Sequence, residues 1–337
     1  MASDVDAMAV TGLKDRKGGL VALGVVQIII GAFCALMVPL MLLGTLMSAA
    51  IDRGAAPRTS ASMMMPGMLM YVLIAVFFIW MGIGSIKARR WARALWLVGS
   101  WLWLISGLIG VAAMFMFLPD MYEQMSRSGQ MPRAVVTIIK AITLAFMLVF
   151  YVIVPSVFAA FYGRPDVKAT CERRDPHVRW TDRCPLPVLA VSLLSGFSAA
   201  WMPLMGFYGW AIPLFGRILS GAAGAALAFG GLLLLGYISW GTYRLSIKAW
   251  WCAVALVTVW GTSAAITFSR VDMMAFYERM HFPAEQLEMM RPFSATWGSW
   301  MPLLMELWIA VALVYLLYVR RFFTPSGERP GGAAVKL

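Results

Sequence analysis

Long apolar runs alternate with short polar ones along almost the whole chain. Eight of the apolar runs are long enough to cross roughly 30 Å of hydrocarbon, which takes about 20 helical residues. They extend from Leu20 to Ile51, Gly67 to Ile86, Ala94 to Leu118, Ala134 to Tyr162, Leu186 to Phe215, Ile218 to Trp240, Ala249 to Ser269 and Phe293 to Val319. The pattern predicts an all-α, polytopic transmembrane helix bundle. The first and fifth runs are over-long and contain Pro39 and Pro203, so they are expected to kink or to extend past the membrane. Pro213 gives the fifth run a second point at which to break.

One long polar segment interrupts this pattern. Gly163 to Pro187 carries six basic and four acidic residues, Cys171, Cys184 and His177. The domain reading follows: a tail over 1–19, a first four-helix membrane unit over 20–162, a linker over 163–187, a second four-helix unit over 188–319 and a tail over 320–337.

Composition agrees with the spans. The chain is 61% hydrophobic and 13% charged, against about a quarter charged in soluble domains. Its net charge of +12 is resolved by position. With the N-terminus inside, 19 Lys or Arg fall on the inner side and eight on the outer, and Lys140 lies within a span. The positive-inside rule then puts both termini and the linker in the cytoplasm, as for a multi-pass protein of the bacterial inner membrane. The basic clusters Lys87, Arg89, Arg90, Arg93 and Arg173, Arg174 are expected to meet anionic lipid headgroups, not nucleic acid.

The two halves echo each other. Pro39-Leu40-Met41 matches Pro203-Leu204-Met205, Ser85-Ile86-Lys87-Ala88 matches Ser246-Ile247-Lys248-Ala249, and Tyr122-Glu123-Gln124-Met125 is similar to Tyr277-Glu278-Arg279-Met280. Three matches in one order predict an internal repeat. Four spans per copy is an even number, so the two copies are expected in parallel, related by an axis along the membrane normal. The sixth span is rich in small residues, from Ser220-Gly221-Ala222-Ala223-Gly224 to Gly230 and Gly231, which predicts a place at the centre of the bundle. The hairpin from Gly82 to Arg93 resembles tight turns in uncharacterised, duplicated four-helix bacterial inner-membrane proteins. That resemblance implies location and no activity.

Candidate chemistry is sparse. Glu306 lies well inside the last span, where an ionisable group is costly and is a functional candidate by default. Lys140 occupies roughly the comparable region of the first copy, and a Lys140–Glu306 pair would make a solute or proton site. Against this stands a neutral glutamic acid that fixes helix packing, with Lys140 reaching outward. Cys171, His177 and Cys184, with Asp175 or Asp182, offer zinc ligands, but the spacing lacks the close pairs of zinc sites. Methionine crowds the outer side around His281, a soft-ligand pattern that suits Cu(I). The same residues at helical spacing in Pro119–Met125, Asp272–Phe282 and Pro283–Arg291 predict short amphipathic helices on the outer surface. No cofactor is expected.

No nucleophile elbow, zincin or Walker motif is present. The expectation is a non-enzymatic accessory or scaffold protein of the inner membrane, with a protein partner or a homo-oligomer left open. The alternative is a small-solute or ion carrier with a site at the repeat interface near Glu306.

Overall fold

The computed structural model describes residues 13–51, 61–127, 133–282 and 284–323. Among these, eight helices are long and apolar enough to cross a membrane. The chain is therefore a multi-pass, all-α membrane protein. It divides into two compact units, Met1–Arg183 and Cys184–Leu337, and the segment up to Arg183 packs with the first of them.

In the first unit, α1 (Lys17–Ile51), α2 (Ala61–Ile86) and α3 (Arg90–Arg127) are the first three spans. The fourth is built from α4 (Arg133–Leu148), a π turn (Val149–Ile153) and α5 (Val154–Tyr162). The linker supplies α6 (Pro165–Arg174) and a single 3₁₀ turn, Trp180–Asp182. α1 packs mainly on α2, and α3 on the fourth span. The π turn has a local cause. Pro155 has no N–H to donate to the carbonyl of Tyr151 one turn earlier, which frees that oxygen. Gly107 of α3 lies so close to it that a side chain there would collide with the Tyr151 oxygen.

The second unit runs through α7 (Leu186–Trp201), a 3₁₀ turn (Met202–Tyr208), a hairpin of β1 (Ile212–Leu214) and β2 (Arg217–Leu219), α8 (Gly221–Tyr243), α9 (Ile247–Arg270), α10 (Met273–Arg279) and α11 (Ala284–Arg320). Its core gathers Val188, Leu189, Ile238, Trp250, Leu316 and Val319. The fifth apolar run is thus not a helix to Phe215. It stops at Trp201, and Pro213 enters a short antiparallel strand paired with Ile218. The hairpin tip has φ of 41° at Phe215 and 85° at Gly216. Its two amides donate to Ser263 Oγ at 2.9 Å and Thr267 Oγ1 at 3.0 Å on α9, so hydroxyls replace the sheet partners that a lone hairpin lacks.

Other expectations change as well. Tyr122–Met125 lies in the last turns of α3, and residues 284–291 open α11, so neither forms a separate helix; Met273–Arg279 does, as α10. Asp272 caps α10 by accepting the Met274 N–H at 3.2 Å. Within its own unit, the small-residue helix α8 is not enclosed along its length. Gly224 packs on the Trp210 carbonyl and Gly241 on Ala249, but Gly230 and Gly236 have open space beside them.

Both units carry the same turn between their second and third spans. In the first, the Ala88 N–H donates to the Ser85 oxygen and the Arg89 N–H to the Gly84 oxygen, each at 2.9 Å. In the second, Leu245 and Ser246 donate to Thr242 and Gly241, each at 2.8 Å. This double bond pattern ends a helix on a left-handed residue, usually glycine; here Ala88 (φ 49°) and Leu245 (φ 57°) fill that place. Counted from the turn, Ser85 corresponds to Thr242. The lettered match Ser246-Ile247-Lys248-Ala249 instead begins α9. Pro39 and Pro203 also differ, one inside continuous α1 and the other in a 3₁₀ turn.

Candidate functional site

The polar residues of the first unit gather at the end where the linker folds back. α6 starts with Pro165 and Asp166 and ends with Arg173 and Arg174, which suits both poles of its dipole. Its inner face buries Val167, Thr170 and Cys171. The entry to α1 clamps it: the Arg16 N–H donates to Thr170 Oγ1 at 3.1 Å, Arg16 Nε to Asp166 at 3.3 Å, and Arg174 Nη2 to Asp15 at 2.9 Å.

Asp175 pins the rest of this cap. Its side chain is fully covered, by arginines that are themselves about a third exposed. It accepts two bonds from Arg179, of 2.9 Å from Nε and 2.6 Å from Nη2, one of 3.3 Å from Arg89 Nη1 and one of 3.3 Å from the Arg90 backbone N–H. Asp175 is thus an N-cap for α3 supplied from far along the chain. The Arg179 hydrogen bonds outweigh burial and hold its carboxyl below the usual range. Beyond the pin, Pro176, His177, Val178 and Trp180 face outward, Val178 at 65% exposure.

Beneath the cap is a buried polar node. Gln27 Nε2 donates to Tyr162 Oη at 2.8 Å, and Ser85 Oγ lies 2.8 Å from the same oxygen. Trp96 stacks on Phe158 and Tyr162. All four spans of the unit therefore contribute to one spot. In the second unit the Thr242 hydroxyl instead donates to Ile238 of its own helix at 2.7 Å, and Trp250 Nε1 donates to the Leu316 oxygen at 2.8 Å. Among the described residues, five side-chain atoms are buried without a hydrogen-bond partner: Gln27 Oε1, Arg90 Nε, Arg93 Nε, Trp96 Nε1 and Thr181 Oγ1. Each belongs to the first unit.

The residues singled out from sequence are scattered. Glu306 is exposed on α11 between exposed Leu303 and Leu307, about 20 Å along the axis from Arg320. Lys140 is half-buried on α4 of the other unit. No group of three or more His, Cys, Asp or Glu among the described residues is placed to hold a metal ion. Cys171 turns into the buried face of α6, Cys184 joins the second core, and His177 faces out. Burial pushes both thiols up to about 11. His281 packs its ring on Gly209, and of the methionines expected on the outer side Met273 and Met274 are buried while Met131 lies outside the described residues. Of the six expected headgroup contacts, Arg89, Arg90 and Arg174 already have carboxylate partners in Asp175, Asp182 and Asp15; Lys87 is exposed.

Sequence reasoning missed Gln27 and Tyr162, and it offered Asp175 as a zinc ligand, not as the pin of the cap. Gln27 had a readable signal, as the one amide inside the first apolar run. The pinning role of Asp175 had only half a signal: Arg179 stands four residues on, but Arg89 and Arg90 are remote in sequence. No protein-family model matches the chain, and neither the curated proteins nor the solved structures contain a match.

Proposed function

We propose that the chain is a non-enzymatic accessory or scaffold protein of the bacterial inner membrane, and that the cap on its first unit is the platform it offers in the cytoplasm. The observation that carries this reading is the pinned linker. A segment that had only to join two membrane units would not need a fully covered Asp175 holding Arg89, Arg179 and the start of α3. The pin instead fixes Val178 and Trp180 outward as an apolar spot among charges, and few residues of that kind carry most of a contact's energy. The shared turn supports an internal repeat with parallel copies, in the manner of the duplicated four-helix proteins that its hairpin resembles. The inner-side charge supports cytoplasmic termini.

Wild-type protein extracted in mild detergent should copurify with a stoichiometric companion protein. Val178→Ser with Trp180→Ser should release it while leaving insertion and melting temperature unchanged. A wild-type preparation without such a companion ends this reading.

A second reading, a small-solute or ion carrier, is favoured by the exposed carboxyl of Glu306 inside a span, where ionisable groups rarely stand without a task. Proteoliposomes should then show solute or proton flux that Glu306→Gln abolishes. Equal flux in the variant, with an intact fold, removes it.

A further inference from the structure

The first turns of α3 pack against the Trp180–Asp182 turn, and the seam between them is short of acceptors. Thr181 Oγ1, Arg90 Nε, Arg93 Nε and Trp96 Nε1 are buried without partners, and Thr181 and Trp96 are each 2% exposed. All four groups can donate, and among the described residues Gln27 Oε1 is the one buried side-chain atom without a partner that can only accept. Arg90 directs its terminal nitrogens to Asp182 at 3.7 Å and to the Glu172 oxygen at 3.5 Å, which leaves its Nε unused. The Arg93 guanidinium forms no ion pair among the described residues, although Cys171, Glu172 and Asp182 lie within electrostatic reach.

Cys171 does not supply the missing negative charge, because its buried thiol stays protonated at neutral pH. Five cations, Arg89, Arg90, Arg93, Arg179 and Lys168, surround three carboxylates, Asp175, Asp182 and Glu172. The second unit supplies a contrast. Five residues past its left-handed Leu245, where the first unit has Arg93, stands Trp250, and its N–H is satisfied by the Leu316 oxygen at 2.8 Å. One copy of the turn thus closes on protein, and the other presents unused donors.

We propose that this seam binds one phosphate oxyanion, held by Arg93 and Arg90 with the Thr181 hydroxyl as a neutral donor. Planar guanidinium groups match phosphate oxygens, and hydrogen bonds between charged groups are the strong ones. The seam lies where a membrane span begins, the level of lipid phosphodiesters. Asp182 and Glu172 limit the net positive charge and so favour a singly charged group over a more highly charged one. The proposal narrows the headgroup contact expected from the basic clusters to one site, instead of the whole basic surface.

Delipidated full-length protein in an uncharged detergent is titrated with phosphatidylglycerol, phosphatidylcholine or inorganic phosphate, and its melting temperature is followed. Phosphatidylglycerol should raise it and phosphatidylcholine should not. Arg93→Gln should weaken the apparent affinity about tenfold or more, Thr181→Val should weaken it a few-fold, and Arg321→Gln, an arginine of the second unit, should leave it unchanged. An equal Arg93-dependent response to inorganic phosphate supports the site and assigns it to soluble phosphate compounds. Should Arg93→Gln fail to fold, Thr181→Val alone decides. A phosphatidylglycerol response that both variants retain, or no response to either phosphate source, overturns the proposal. The companion protein is measured separately at Val178 and Trp180, so the two readings fail independently.

Discussion

At the scale of the residue, Asp175 decides most. Its cover is complete but thin, since Arg89 and Arg179 are 39% and 34% exposed. The cost of Asp175→Asn is therefore discounted from the value for a deeply buried pair to about 1–3 kcal/mol. The pH dependence follows from the direction of its shift. A carboxyl held below its ordinary 3.8 in the folded state stabilises the cap fully above about pH 4. That contribution is lost as pH falls through the folded-state value, because the proton must then displace Arg179. Cap order, read from Trp180 fluorescence or from proteolysis at the linker, should be level between about pH 5 and 8 and fall below about pH 4. Asp175→Asn should remove this acid transition. A variant that keeps the wild-type profile would place the transition on another group.

At the scale of the element, the spans were legible because length and apolarity are local properties that one helix satisfies alone. The breaks were not. Pro213 marked a break in the fifth run, but nothing local showed that hydroxyls of α9 would hold a hairpin there. The shared turn was misread by four residues, since the letters Ser-Ile-Lys-Ala enter it in one unit and leave it in the other. A glycine at the left-handed position would have set the register, but Ala88 and Leu245 sit there. Pro155 could have signalled the π turn in the fourth run, while its partner Gly107 emerged only from packing. That contact makes a sharp test. Gly107→Leu must part α3 from the Tyr151 carbonyl and should destabilise the first unit by about 2 kcal/mol or more. Gly110→Leu, one turn along with open space beside it, should leave melting unchanged. Equal effects of the two substitutions would mean that bulk on α3, and not this contact, matters.

At the scale of the whole molecule, the two units look alike in span number and in one turn, yet they are finished differently. The second closes on itself: Tyr315 donates to the Pro187 oxygen at 2.9 Å, and Ser192 and Ser239 each donate to the other's carbonyl at 2.8 Å. The first is closed by the segment from Pro165 to Asp182, clamped by Asp15 and Arg16 at its start and pinned by Asp175. This makes the linker part of the first unit's stability and places the working boundary at Arg183, not at Tyr162. Fragments 1–183 and 1–162, expressed in membranes, separate the two descriptions. The longer one should insert, resist proteolysis at its linker end and melt well above the shorter. In 1–162 the ends of α1 and α3 lose their carboxylate partners, and the Gln27–Tyr162–Ser85 node loses its cover. Equal stability of the two fragments would return residues 163–183 to the role of a tether. The platform proposed at Val178 and Trp180 would then lose the rigidity that docking there requires.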